Sequence, residues 1–406
     1  MHIALYSPTW PPAGAANGIV SYVSTVRDHL IGKGHKVTIL SGGQLYPSCG
    51  VDLALLAPTE ELGGFERLQR RMSRRLDAYH GGLPGVGRLL AAQVGAAHRI
   101  DPIDILEMEE SFGWSHIVRR LTGVPVVTRL HGPHFLKPPK PRTVRERLND
   151  LQRRQTEGRA VRSSLTLTAP TRAMMRMTCE NYRRTSKDYD AVIPNPIRVL
   201  PEGDRWNLRD CDRNRILMIG RFDYWKGADT MLLAFEQVLR RYPDARLTLV
   251  GPRIGIETAP GHLADFEEYA SANLSPETAQ RIEITGTLDP PEIARLRRQA
   301  FVTVLASRVE NFPYALLEGL ASGSPMISTD WPGIDEIIRH GETGFLTPVG
   351  DPDALAQRLG WMFDHPEVAA RVAENGMRHC AAAFSIETVG ARLIECYEAT
   401  LRNGKE

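Results

Sequence analysis

The stretch SRVENFPYALLEGLASGSPMI, Ser307 to Ile327, decides how this chain is read. The run before it, FVTVLA (Phe301 to Ala306), is short, apolar and rich in β-branched residues, as a buried parallel strand requires. Pro313 favours a helix start, so the pattern predicts a helix over Tyr314 to Ser322. Glu310 then falls in the loop and Glu318 lies about one turn inside the helix. A parallel strand feeding a helix leaves a polar crevice at the strand's carboxyl end, here furnished with two carboxylates.

Such a crevice suits a phosphorylated ligand. The free N–H groups and positive end of a helix attract phosphate, and a carboxylate deeper in the turn can accept hydrogen bonds from neighbouring ribose hydroxyls. Taken singly, each acid reads equally well as a cap or a solvated helix residue. The surrounding order is more specific: Ser307, Glu310, Phe312, Glu318, Gly323, Pro325 and Ile327, then Gly333, Ile334, Glu336, Gly341 and Gly344-Phe345-Leu346. This order resembles the signature of retaining GT-B glycosyltransferases of the family-4 type, and the resemblance runs over nearly the whole chain.

The resemblance implies an α/β chain with the GT-B fold, two Rossmann-like doubly wound domains facing across a cleft. The expected division is residues 1–197 plus 386–406 on the acceptor side and residues 198–385 around the nucleotide-sugar. Length agrees, since 406 residues exceed one ordinary core. With 42% hydrophobic and 24% charged residues, the composition is that of a soluble globular protein. A net charge of +2 gives no reason to expect nucleic acid as a partner. Cys49, Cys179, Cys211, Cys380 and Cys396 are dispersed, which points to reduced thiols in a cytoplasm. Met1-His2 leads straight into a strand-like run with no basic n-region, and no apolar stretch approaches the roughly 20 residues that span a bilayer. The expected location is cytoplasmic, with any membrane contact peripheral and at the inner face.

Along the chain, His2 to Ser7 reads as a strand, followed by a helix with Ile19, Val23, Val26 and Leu30 on one face, and a second strand at Val37 to Gly42. No G-x-G-x-x-G lies at the first turn, which argues against a dinucleotide-dependent redox enzyme. The resemblance implies a Gly-Gly pair there whose amides approach the donor diphosphate. This chain has Asn17-Gly18, so only Gly18 inherits that role. Between Glu61 and Leu76 an apolar stripe (Phe65, Leu68, Met72, Leu76) alternates with Arg67, Arg70, Arg71, Arg74 and Arg75. That pattern fits an anionic lipid surface or a charged acceptor, and equally an ordinary surface helix. A second basic region, Lys137 to Arg162, includes Lys140, Arg142, Arg145, Arg147, Arg153 and Arg154 and would line the same acceptor side.

The strand Val124 to Leu130 delivers His131 to its carboxyl end; the resemblance puts His131 beside the donor sugar, with His134 as an alternative. Thr171 is placed to cap a helix. Val192 to Ile197 reads as the exit from the first domain and Pro201 to Asn214 as a linker. After the strand Arg215 to Gly220, Arg221 and Lys226 share one strand-to-helix turn and can converge on a diphosphate, the assignment that the resemblance also gives them. A helix is expected near His262 to Asn273.

By the same resemblance Glu310, with Asn311, Phe312 and Pro313, meets the donor sugar, Glu318 the ribose, and the turns at Arg253 and Leu288 the base. The D-x-D strings at Asp188, Asp210 and Asp351 follow no buried strand, and Asp351 reads as a helix cap, so neither a catalytic metal nor a cofactor is expected. The helix from Ser385 to Leu401 is expected to cross back to the first domain.

The implied activity is transfer of a hexosyl unit, with retention, from a nucleoside diphosphate-sugar to a hydroxyl acceptor. UDP-sugars are favoured and GDP-sugars come next; the acceptor is lipid-linked, a saccharide or a small molecule. The alternatives are a GT-B sugar-nucleotide epimerase or hydrolase, and a noncatalytic scaffold.

Overall fold

The structure, a computed structural model, describes residues 1–12, 17–41, 44–47, 83–137, 141 and 143–403. The Arg67 to Arg75 cluster, Lys140, Arg142 and Cys49 lie outside these residues. The chain divides into two compact units, Met1–Pro196 with Ile386–Glu406, and Ile197–Ser385.

In the first unit, β1 (His2–Tyr6), β2 (Lys36–Ser41), β3 (Gln44–Pro47), β4 (Ile105–Glu109), β5 (Val126–Arg129), β6 (Thr166–Ala169) and β7 (Ala191–Val192) form a sheet in the order β3-β2-β1-β4-β5-β6-β7. All pairs are parallel except β2 with β3. The chain leaves β1 toward β2 on one side and reaches β4 on the other, so a crevice opens beyond their carboxyl ends.

The helix Gly18–Gly32 covers this sheet with Val20, Tyr22, Val23, Val26 and Leu30; Ile19 is only half-buried, so the buried face is turned one residue from the expected stripe. Helix Ile386–Asn403 packs on the same unit through Val389, Leu393, Cys396 and Tyr397. Each large apolar side chain so buried contributes about 1.5–3 kcal/mol. Its Gly390 lies so close to the first helix that a Cβ there would sit 2.3 Å from His29 Nε2.

In the second unit β8 (Asp212–Ile219), β9 (Phe222–Asp223), β10 (Arg246–Val250), β11 (Arg253–Ala259), β12 (His262–Ala264), β13 (Ile282–Gly286), β14 (Ala300–Leu305), β15 (Met326–Thr329) and β16 (Phe345–Thr347) build two sheets. The larger is wholly parallel in the order β13-β10-β8-β14-β15-β16; the smaller is β12-β11-β9. Here the order reverses between β8 and β14. A core of Met218, Met231, Phe235, Phe301, Val302, Leu355 and Leu359 fills the space between sheet and helices.

The structure departs from three expectations in this unit. Pro201 to Asn214 is no linker: Trp206 is buried, its main-chain N–H donates to the Ser322 carbonyl at 2.7 Å and its indole N–H to that of Ala300 at 2.7 Å, and Asp212 already opens β8. Arg253 is not in a turn but begins β11, which returns antiparallel as β12, so the helix starts at Phe266 rather than His262. Asp265 caps it, accepting from Glu268 N at 2.9 Å.

Candidate active site

Glu310 comes from the loop after β14, and Arg221 and Lys226 from the loop after β8, the two strands that flank the reversal of sheet order. Asp223, buried at the end of β9 between these two cations, holds both. Its Oδ2 accepts from Arg221 Nε at 2.6 Å, and its Oδ1 accepts from the Lys226 main-chain N–H at 2.8 Å. The Lys226 ammonium then donates to Glu310 Oε1, which also accepts from Ser307 Oγ at 2.7 Å.

The loops are stitched together by Arg308. Its guanidinium reaches both Asp229 oxygens at 2.7 and 2.8 Å and the Tyr224 carbonyl at 2.6 Å, while its plane lies 3.8 Å from the Tyr224 ring centre. Planar, forked and only lightly hydrated, arginine suits such a clasp. The loops approach so closely that Gly227, at φ +70°, has no room for a side chain: a Cβ would lie 1.9 Å from the Ala306 carbonyl oxygen. Sequence reasoning passed over Asp223, Asp229 and Arg308, although Arg308 follows Ser307 directly in the deciding stretch.

Helix Tyr314–Ser322 starts where Pro313 predicts, with Pro313 itself as the extended N-cap residue. Phe312 turns its ring into the core, edge-on to Phe384 with 5.6 Å between centroids, so its side chain faces away from the loop. Asn311 is buried beside it. Glu318, on the first turns of the helix, accepts from Arg297 Nη2 at 2.8 Å; Arg297 is buried, whereas the Glu318 side chain is 42% exposed. Arg253 is exposed and donates to Glu267 and to the Ile284 carbonyl, both at 3.2 Å, and Leu288 packs on Leu217, Val250, Leu296 and Ala300.

On the first unit, Asn17 occupies the N-cap: its Oδ1 accepts from Ile19 N at 2.9 Å, and Gly18 opens the helix. An asparagine in place of glycine is thus explained by capping. His131 follows β5. Its ring meets Tyr22 edge-on at 4.9 Å between centroids, and burial, then the charge of Arg129, hold its pKa well below the usual histidine value. The ring is therefore neutral at physiological pH. His134 turns elsewhere, with Nε2 lying 2.6 Å from Asp150 Oδ1.

Arg129 is fully buried, stacks over Tyr22 at 4.2 Å and donates to the Ile193 carbonyl at 3.0 Å and Asn195 Oδ1 at 2.8 Å. The main-chain N–H groups of His131 and Gly132 donate to the two oxygens of Glu110 at 2.9 and 2.8 Å. Three acids in and just after an otherwise apolar strand, at Glu107, Glu109 and Glu110, were the signal that sequence reasoning left unused.

At least one aspartate of each D-x-D string is engaged by a protein group. Asp190 pairs with Arg184 at 2.6 Å, Asp212 with Arg246 at 2.8 Å, and Asp351 caps its helix by accepting from Ala354 N at 2.9 Å. No helix among the described residues is long and apolar enough to cross a membrane.

Two family models match this chain: Glycosyltransferase Family 4 over residues 16–199 and Glycosyl transferases group 1 over residues 204–379. An α-D-kanosaminyltransferase of Streptomyces kanamyceticus is 27% identical over 70% of this chain and 73% of its own length. A D-inositol 3-phosphate glycosyltransferase of Streptomyces scabiei is 25% identical over 97% and 89%. Among solved structures, sucrose-phosphate synthase from Thermosynechococcus elongatus shares the fold with a TM-score of 0.74 at 19% identity, covering 99% of both chains. Anabaena HepE in complex with UDP and glucose does so at 0.65 and 17%, covering 98% of this chain and 100% of its own. Together, the two matched halves, the relatives and the doubly wound architecture make this chain a member of the GT-B glycosyltransferases of the family-4, group 1 type.

Proposed function

We propose that the chain moves a hexosyl unit from a nucleoside diphosphate-sugar, a UDP-sugar first and a GDP-sugar next, to a hydroxyl acceptor with retention of anomeric configuration. The observation that carries this reading is the meeting of Lys226 and Glu310 at the reversal point of the second sheet, with Arg221 held beside them by Asp223. Lys226 and Arg221 take the diphosphate, Glu310 orients sugar hydroxyls, and Glu318, kept in place by Arg297, accepts from the ribose. Asn311, Phe312 and Pro313 offer the sugar main chain, given the burial of the Phe312 ring. Arg253 and Leu288 are assigned to the base, Leu288 through its main chain. Gly18 and His131 keep the diphosphate and sugar roles that the family resemblance implies. The structure of HepE with UDP and glucose favours the uridine donor.

In the step itself the bond from the anomeric carbon to the phosphate oxygen breaks, and the acceptor oxygen bonds to that carbon on the same face. The departing phosphate oxygen takes the acceptor's proton. Lys226 and Arg221 stabilise the charge that grows on the leaving diphosphate. The protein partners of Asp190, Asp212 and Asp351 support a reaction in which these residues hold no metal.

A thermal-shift panel of UDP-, GDP- and ADP-sugars, run with and without EDTA, tests the donor. A ligand at about 100 times its Kd adds about 2.7 kcal/mol of stability. Stabilisation by none of them sinks the reading, and a free sugar or an isomerised donor as main product favours a hydrolase or epimerase.

A further inference from the structure

Glu110 is the residue after β4, at the reversal point of the first sheet, and it is fully buried. Both its oxygens are used on one short stretch, accepting from His131 N and Gly132 N at 2.9 and 2.8 Å. A second buried carboxylate, Glu157 of helix Val144–Ser163, repeats the device two residues on. Its Oε1 accepts from His134 N at 2.8 Å and from Tyr182 Oη at 2.6 Å. Three main-chain N–H groups of residues 131–134 are thus taken by two carboxylates from two other elements. At Gly132 itself there is space, since an added Cβ would meet nothing within 4 Å.

A turn that needed only acceptors could use carbonyls or water at far smaller cost. The cost here is visible. Burial, then repulsion from Glu157 and Glu109, pushes Glu110 up to about 8, and burial pushes Glu109 up to about 7. Among the described residues Arg153 faces Glu109 and Glu157, and Arg154 pairs with Asp150 at 2.9 Å; Ser111, Tyr182 and His134 lie in the same cluster. Two repelling carboxylates are tolerated just where the turn presents His131.

We propose that Glu110 is a positioning residue for sugar transfer, fixing the His131-Gly132 turn through its paired hydrogen bonds so that the His131 ring and Gly132 main chain are held ready for the donor. This rests on the reading of His131 as a donor-side residue. Glu110→Gln retains one acceptor and sets an NH2 group against the other N–H; Glu110→Asp keeps the carboxyl but shortens the reach. Two readouts are taken on the full chain: hydrogen exchange of the peptide containing residues 131–134, and kcat and KM for consumption of UDP-glucose.

For Glu110→Gln, exchange should rise and kcat fall by about 10-fold or more, the loss of one of the paired hydrogen bonds with its N–H left unsatisfied, while the KM for UDP-glucose changes far less. Glu110→Asp should recover part of both. Unchanged exchange overturns the proposal, as does faster exchange at unchanged kcat, or a kcat loss no larger than the loss of folded protein. If Glu110→Gln does not fold, the milder Glu110→Asp carries the same comparison. Should the wild-type chain consume no UDP- or GDP-sugar, the proposed function has failed, and exchange alone decides whether Glu110 holds the turn.

Discussion

Lys226 donates its ammonium hydrogen bond to Glu310, joining two loops 84 residues apart in sequence. The Lys226 side chain keeps 22% of its exposure and Glu310 only 9%, so the cation is the partner that an incoming phosphate can reach. Lys226→Ala should lower kcat/KM by about 10- to 150-fold, equivalent to about 1.5–3 kcal/mol. It should also weaken UDP binding. Glu310→Gln, which leaves an oxygen for Ser307, should spare UDP affinity and lower kcat. Calorimetric UDP titration beside steady-state kinetics checks both, and equal loss of UDP affinity in the two variants would remove Glu310 from the sugar side.

Gly227 predicts a structural cost at the same place. Alanine there combines φ +70° with a Cβ 1.9 Å from the Ala306 oxygen. Gly227→Ala should therefore destabilise the second unit by about 2–4 kcal/mol, a fall of about 5–15 °C in melting temperature. Gly203→Ala, where the added carbon meets nothing within 4 Å, is the control and should change little. Equal melting temperatures for the two would show that the loops do not approach this closely.

What could be read from residues alone divides along physical lines. The doubly wound class, the helix starting after Pro313 and the caps at Thr171 and Asp351 were legible because strand runs, prolines and capping residues act over a few positions. The burial of Trp206 was not, since its partners are the carbonyls of Ser322 and Ala300, far along the chain. The β11–β12 hairpin was missed because Gly255, Pro260 and Gly261 read as loop, whereas Gly255 and Gly261 supply positive φ within and between paired strands. The three acids around β4 flag Glu110 as unusual, but its partners were illegible for a related reason: an acid beside a strand gives no hint that its donors are amides 21 and 22 residues away.

Arg308, on the loop after β14, and Asp229, in the first turn of helix Ala228–Arg241, form a clasp, each side chain being about one-sixth exposed, at 16% and 17%. A double-mutant cycle of Arg308→Ala and Asp229→Ala should give a coupling of about 1–3 kcal/mol in thermal or urea unfolding. Arg308→Lys should recover only part of it, because a point charge cannot reproduce the two-pronged contact. Strict additivity would show that the clasp contributes nothing.

Glu109 sets a pH dependence whose sign follows from its environment. Burial raises its carboxyl to about 7, against 4.5 for the ordinary group, so the folded chain holds a proton there that the unfolded chain has released. That stability is fully present below the ordinary value and is lost as pH rises toward 7, by about 1.4 kcal/mol per pH unit inside the window. Burial of His131 and His134 acts in the opposite sense, lowering stability as pH falls below the usual histidine value. The difference between Glu109→Gln and wild type reads this carboxyl together with its push on Glu110, and both act in one sense: the variant should gain relative stability between pH 5 and pH 7.5. A flat difference would mean that Glu109 is ionised throughout.

Tyr397 and Glu107 test how the final helix is held to the first unit. The phenol is fully buried and donates to Glu107 Oε2 at 2.9 Å; Glu107 is itself buried on β4. Burial drives the Glu107 carboxyl up, while Arg129 and the hydroxyls of Tyr22 and Tyr397 bring it down. Tyr397→Phe preserves the ring and removes one donor from a buried carboxylate, at a cost of about 1–3 kcal/mol. Since that donor stabilises the ionised form, the variant's deficit should grow with pH and be smaller at pH 5 than at pH 8. Melting curves at the two values measure this, with the exposed Arg402→Ala on the same helix as control. A deficit independent of pH would mean that Glu107 carries the same charge at both values, and no deficit would mean that the helix is held by its apolar face alone.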